Sequence, residues 1–152
     1  GRTDYRKRLQ MITSRMPRLV IRKSLRNIAV QLIEYQPGGD HILVSTTTKE
    51  LQKAYGWKHA RRNTPAAYLT GYLLGKKAQK KNITKAVCDI GLQSITKGSV
   101  LFSCLKGAVD AGLDIPHSDT LMPSPDRLQG KHMKHPVSLQ EIKTKIDATE
   151  KK

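Results

Sequence analysis

The chain has 152 residues, 38% of them hydrophobic, and its 28 Lys and Arg against 12 Asp and Glu give a formal net charge of +16. This size fits one domain with a real core, and no apolar run approaches the ~20 residues of a membrane-spanning helix. So positive a domain repels itself unless an anionic partner neutralises it, which favours nucleic acid, with an anionic membrane surface as the main rival. No signal peptide is visible at the start. The two cysteines, Cys88 and Cys104, lie in apolar patterns typical of buried thiols in a reducing compartment.

Residues 1–16 are predicted to form a basic arm. Five of them are Lys or Arg, and Asp4 is the single acid. Thr3 or Asp4 could cap a short helix, but the apolar side of that helix would be narrow. We therefore expect this arm to become ordered when an anionic partner binds it.

Residues 17–35 are predicted to form two strands joined by a tight turn near Ser24–Asn27. Alternation with a period of two separates an apolar set from a set of arginines, and so places them on opposite faces. The apolar set is Leu19, Ile21 and Leu25, and the cationic set is Arg18, Arg22 and Arg26. We therefore expect a row of guanidinium groups on an exposed strand face, although a merely solvated face is an equally open interpretation.

The rest of the chain is predicted to add a third strand, which extends the two-stranded hairpin to an antiparallel meander, and then several helices and a later strand. The predicted elements are a third strand at 41–48, a helical turn at 49–54, a helix from an N-cap at Thr64 to about Lys81, a strand at 83–92, a helix at 100–111 stopped by Gly112, and a terminal helix at 137–151 capped by Ser138. The helix–strand unit at 64–92 is expected to add a parallel strand.

These elements predict an α/β fold: a single three-layer domain with a mixed β-sheet and helices packed on it. We expect three parts. They are a basic RNA-binding arm (1–16), an α/β core domain (17–118), and an irregular stretch with a C-terminal helical tail (119–152).

The search for chemistry finds no catalytic or metal site. Gly71 and Gly75 are spaced unlike those of a phosphate loop and lie inside a predicted helix, where they favour close packing against another backbone. His132 and His135 have a possible metal spacing, but no cysteine lies near them, which favours exposed histidines. We expect no enzymatic activity and no cofactor.

The stretch from Tyr55 to Asn63 combines aromatic and cationic residues. Its cations can reach phosphates, and Trp57 could either stack on a base or anchor the loop against the domain. Aromatic residues beside arginines favour RNA over duplex DNA, because RNA offers splayed bases.

A series of short strings resembles one known family. They are Thr3-Asp4-Tyr5, Arg8-Leu9, Pro17-Arg18-Leu19-Val20, Arg22-Lys23-Ser24, Tyr55-Gly56-Trp57, Ala67-Tyr68-Leu69-Thr70-Gly71, Asp89-Ile90-Gly91-Leu92, Gly98-Ser99, and the run from Gly107 to His117. Taken in order, they resemble the archaeal form of the large-subunit ribosomal protein L-eighteen family, which binds 5S rRNA and is related to eukaryotic ribosomal protein L-five. The resemblance covers about Thr3 to His135, and the tail beyond matches nothing in it.

This resemblance implies a structural constituent of the large ribosomal subunit, in the cytoplasm, that binds 5S rRNA and helps attach it to the central protuberance. Its implied partners are 5S rRNA, 23S rRNA and neighbouring large-subunit proteins, with no membrane and no small-molecule substrate. The family's RNA surface maps onto Arg6, Arg8, Arg15, Arg18, Arg22, Lys23, Ser24, Arg26, Asn27, Trp57, Lys58, Arg61 and Arg62.

Two other classes of function remain as alternatives. One is a basic RNA-binding or RNA-processing factor outside the ribosome, which the lack of a catalytic cluster disfavours. The other is a binding module for duplex DNA or anionic membranes. A DNA reader would need basic and amide side chains at the start of a recognition helix, whereas the helix at Thr64 begins with Pro65-Ala66-Ala67.

Overall fold

The computed structural model describes residues 3–133 and 138–150. Along the chain the elements are α1 (Tyr5–Thr13), β1 (Arg18–Lys23), β2 (Ile28–Glu34), β3 (His41–Thr47), α2 (Thr48–Tyr55), α3 (Thr64–Lys80), β4 (Val87–Asp89), α4 (Val100–Asp110), a 3-10 turn (Asp119–Leu121), α5 (Pro125–Leu128) and α6 (Leu139–Glu150). None of the helices described here is long and apolar enough to cross a membrane.

The four strands form one mixed sheet in the order β3-β2-β1-β4. β1 and β3 pair antiparallel with β2, and β4 pairs parallel with β1. The predicted mixed α/β fold is therefore confirmed, including the parallel strand. The prediction of a strand over 83–92 was too long, because Lys85 makes only an isolated bridge to Asp114 and Gly91, at φ +64°, turns the chain away after Asp89.

The main core lies between the sheet and the pair of helices α3 and α4. Leu19 and Ile21 of β1 face it together with Leu32 of β2, and all three are fully buried. The two helices cross in close contact because Gly71 of α3 lies against the backbone of Cys104, where a Cβ would overlap the carbonyl oxygen. The glycine pair of α3 thus serves helix packing, as the sequence indicated.

A second core lies on another side of α3, which is the central helix of the fold. It contains Leu69 and Leu73 of α3, Trp57 of the loop between α2 and α3, and Ile146 of α6. The hydroxyl of Tyr72 donates to the Asp147 carboxylate at 3.0 Å, which ties α6 to α3. The tail helix, for which the sequence suggested no role, is therefore packed on the domain.

Three local predictions need correction or comment. The N-cap of α3 is Asn63 rather than Thr64, because the Asn63 side chain accepts from the Ala66 N–H at 2.9 Å. Leu25 is 88% exposed, since the turn breaks the alternation that would have pointed it inward. The predicted start of the last helix at Val137 lies outside the described residues.

The helix predicted in the arm is present as α1. Asp4 is its N-cap and accepts from the Lys7 N–H at 3.2 Å. None of its residues is fully buried, so the apolar stripe adds little to its stability. Its clearest attachment to the sheet is the ion pair between Arg8 and Asp40 at 2.9 Å.

Candidate nucleic-acid interface

The turn between β1 and β2 is closed by its own residues. The Ser24 N–H donates to the Asn27 carbonyl at 2.9 Å, and the Ser24 hydroxyl both donates to that carbonyl and accepts from the Asn27 N–H. This leaves Arg26 and Lys23 exposed at the end of the sheet. Ser24 and Asn27, both predicted site residues, therefore fix the shape of the turn that presents the cations.

Arg18 does not belong to an exposed row of guanidinium groups, and that part of the prediction was wrong. It is 4% exposed, and its guanidinium donates to Asp89 at 2.9 Å and to Asp40 at 2.6 Å. Arg8 shares the Asp40 carboxylate, and Arg22 lies 3.7 Å from Asp89. Two aspartates thus hold three arginines on this face of the sheet, and Arg18 is the buried centre of the network.

Trp57, one of the predicted contact residues, lies beneath its loop in this structure rather than at the surface. It is 2% exposed, and its indole N–H donates to the Ala60 carbonyl at 3.1 Å. The chain turns into this loop at Gly56, which has a φ of +72°. Of the two interpretations left open by the sequence, the structure supports the anchor.

The loop between α2 and α3 meets the β1–β2 turn. Arg62 donates to the carbonyl of Leu25 at 3.5 Å, across 37 residues of sequence. On the other side of the turn, Lys23 and Lys49 line one shallow groove. We call the exposed cations Lys23, Arg26, Lys49 and Arg62 the hairpin surface.

No member of the hairpin surface forms an ion pair with an acid among the described residues. Like charges held close together without counter-charges attract a polyanion. Lys49 was missed by the sequence analysis. The predicted antiparallel meander contained the signal for it. Because β3 pairs with β2, the end of β3 at Thr47 lies beside Ala29, next to the turn, and Lys49 follows two residues later.

The other predicted cations have different surroundings. Arg6 and Arg15 are exposed on the arm, and Lys58 is exposed in the α2–α3 loop. Arg61 is half-buried and donates to the Gln52 side chain at 3.1 Å. Arg8 is partly committed to Asp40. The structure therefore brings the turn and the loop together but leaves the arm as a separate cationic segment.

The two cysteines lie in surroundings that disfavour the thiolate form. Burial, with the neighbouring Asp89 charge, raises the pKa of the Cys88 thiol to about 12, and burial also raises the pKa of Cys104. Thiols with raised pKa values are poor nucleophiles near neutral pH. Within residues 3–133 and 138–150, no group of three or more His, Cys, Asp or Glu could hold a metal ion; His135 of the suggested histidine pair lies outside these ranges.

Comparison with known proteins gives two findings. A family model described as ribosomal large subunit proteins 60S L5 and 50S L18 matches this chain over residues 1–88 and 76–118. The large ribosomal subunit protein uL18 of Korarchaeum cryptofilum (strain OPF8) is 48% identical over 133 residues, which is 88% of this chain and 68% of that protein. The first family segment, residues 1–88, includes the β1–β2 turn and the loop before α3.

Proposed function

Because the chain belongs to the family of ribosomal large subunit proteins 60S L5 and 50S L18, a family of structural components of the ribosome, we propose that it binds 5S rRNA. In this role it helps to attach 5S rRNA to the central protuberance of the large subunit, beside 23S rRNA and neighbouring proteins. The observation that carries the proposal is the hairpin surface, in which Arg62 of the α2–α3 loop contacts the β1–β2 turn.

Electrostatics supports RNA as the ligand of this surface. Phosphate contacts from Lys and Arg supply most of the affinity of nucleic-acid binding proteins, and they orient the protein on its ligand. The hairpin surface offers four such groups around a turn that is closed by its own hydrogen bonds, so little backbone order has to be gained there on binding. The arm adds Arg6 and Arg15, which are exposed, as a second contact segment.

The proposed role is binding rather than catalysis. Family membership indicates a structural component of the ribosome. The two thiols have raised pKa values, and the carboxylates of Asp89 and Asp40 accept hydrogen bonds from Arg18. The described residues therefore offer phosphates a set of cations.

Charge removal within the hairpin surface tests the proposal. Lys23→Ala and Arg26→Ala should each weaken 5S rRNA binding by about 1–3 kcal/mol, the range of a charge-assisted hydrogen bond. Each should also lower the log–log salt slope by about 0.7–0.9. Lys85→Ala is the matched control, since Lys85 is exposed just before β4, at the end of the sheet away from the turn. Equal effects of all three substitutions would refute the assignment of this surface.

A further inference from the structure

A second opening lies beside α1, on the other side of Arg22 from the hairpin surface. It is a cavity of about 590 Å³ bounded by α1, by β4 and the loop after it, and by the segment after α4. Binding sites for small organic groups in proteins are commonly about 300–1,000 Å³ and mostly apolar, with a few placed polar groups. This cavity therefore has room for one nucleotide.

The lining of the cavity combines apolar walls with a fixed cation. Phe102, Leu105 and Met11 provide apolar surface, and Leu92 and Ile95 lie at its rim with 59% and 65% of their surface exposed. Isolated exposed apolar residues are ordinary on protein surfaces, but two beside an opening with apolar walls fit a place where a flat apolar group is bound.

The guanidinium of Arg22 is held in a fixed position at this opening. Its Nη1 donates to the carbonyls of Ile21 at 3.1 Å and Asp89 at 3.3 Å, and its Nη2 lies 3.7 Å from the Asp89 carboxylate. A Cβ added to Gly91 would lie only 3.1 Å from Nη1, so the guanidinium rests directly on the glycine. The side chain is nevertheless 49% exposed. A guanidinium held in this way offers its open face for stacking by an RNA base.

A buried donor also lacks a partner here. Arg18 lines the same cavity, is 4% exposed, and its Nε has no hydrogen-bond partner among the described residues. A buried polar group without a partner is costly. Because Nε is itself shielded from solvent, a ligand in the cavity would reach it only after a rearrangement of the side chains around it.

We infer that the cavity beside α1 receives one unpaired RNA base, which stacks on the guanidinium of Arg22. This inference rests on the proposed function and adds that the protein recognises one unpaired base of the RNA. The alternative occupant, an extended peptide pairing with the open edge of β4, has weaker support, because β4 has three residues. The rim also carries Lys7, and Arg22 borders both this cavity and the groove of Lys23 and Lys49. A base in the cavity would thus place its phosphate near those lysines.

The test separates stacking from charge. Arg22→Lys keeps the charge but removes the planar guanidinium, and Arg127→Lys makes the same change at an exposed arginine outside both the cavity and the hairpin surface. We expect Arg22→Lys to weaken 5S rRNA binding about tenfold, within the range for loss of one stacked base, with an unchanged salt slope. Arg127→Lys should bind like the wild type. Chemical probing of the bases should show one unpaired base that the wild type protects and Arg22→Lys exposes.

Several outcomes would overturn the inference. If Arg22→Lys binds like the wild type, Arg22 acts as a charge only. If its binding weakens while every base stays protected, no base occupies the cavity. Protection of the Cys88 amide from hydrogen exchange that appears only when large-subunit proteins are added would assign the β4 edge to a peptide. If the wild type shows no preference for 5S rRNA but the Arg22→Lys loss persists with any RNA, the proposed function fails while base stacking stands.

Discussion

Replacement of Arg18 by methionine separates a structural arginine from an RNA-binding one. Arg18 bridges Asp89 at 2.9 Å and Asp40 at 2.6 Å, and its side chain is 5% exposed, while that of Asp89 is 8% exposed. Removing one partner of such a buried pair costs about 3–5 kcal/mol, because a charge is left uncompensated. Asp40 is 26% exposed and keeps Arg8, and Asp89 keeps Arg22 at 3.7 Å, so we expect a loss near the lower limit, about 3 kcal/mol.

Urea denaturation of the free protein measures this loss as a lower midpoint with an unchanged slope. A drop in melting temperature of roughly 6–12 °C should accompany it for a chain of this length. Arg18→Met/Asp89→Asn should recover part of the stability, because the uncompensated charge is gone while an amide oxygen remains for the Gly91 N–H. Lys23→Met is the exposed control and should leave stability nearly unchanged. If Arg18→Met is as stable as the wild type yet loses RNA affinity, our account of Arg18 is wrong.

The remaining predictions concern packing, pH and the arm. Gly71→Ala should destabilise the protein by about 2–4 kcal/mol in urea denaturation, because its Cβ overlaps the Cys104 backbone. Burial and contacts with carboxylates raise the pKa values of Tyr55 and Tyr72 to about 12 in the folded state, from 10.0. The two neutral hydroxyls therefore contribute their full stability below pH 10, and this contribution is lost as the pH rises towards 12. Thermal unfolding across that pH range measures the loss, and Tyr→Phe at both positions should make it smaller. Amide hydrogen exchange over residues 6–12 should be fast in the free protein and slow with 5S rRNA, and strong protection without RNA would contradict this.

Local signals in the sequence predicted much of the fold. The β1–β2 turn at Ser24–Asn27 and the stop of α4 before Gly112 follow from residues adjacent in the chain, and both are present. The addition of a later strand parallel to an existing one followed from the general handedness and order of helix–strand units, and the structure shows that its partner is β1. The core face of β1 followed from its alternation.

The predictions failed where the burial of a residue depends on partners that are distant in the sequence. The burial of Arg18 depends on Asp89, 71 residues further along the chain, and on Asp40, 22 residues along, and a strand pattern contains no information about either. Trp57 is buried in a cluster that includes Ile146 of α6, so its exposure depends on a helix near the other end of the chain. Lys49 joined the turn only through strand pairing.

The most direct test of the central claim compares three ligands at one salt concentration: 5S rRNA, an unrelated structured RNA of the same length, and duplex DNA. We predict that the protein binds 5S rRNA most tightly, and that this preference persists as salt is raised, while the weaker binding to the other two falls away with the loss of phosphate attraction. Equal affinity for 5S rRNA and the unrelated RNA across the salt range would contradict the account.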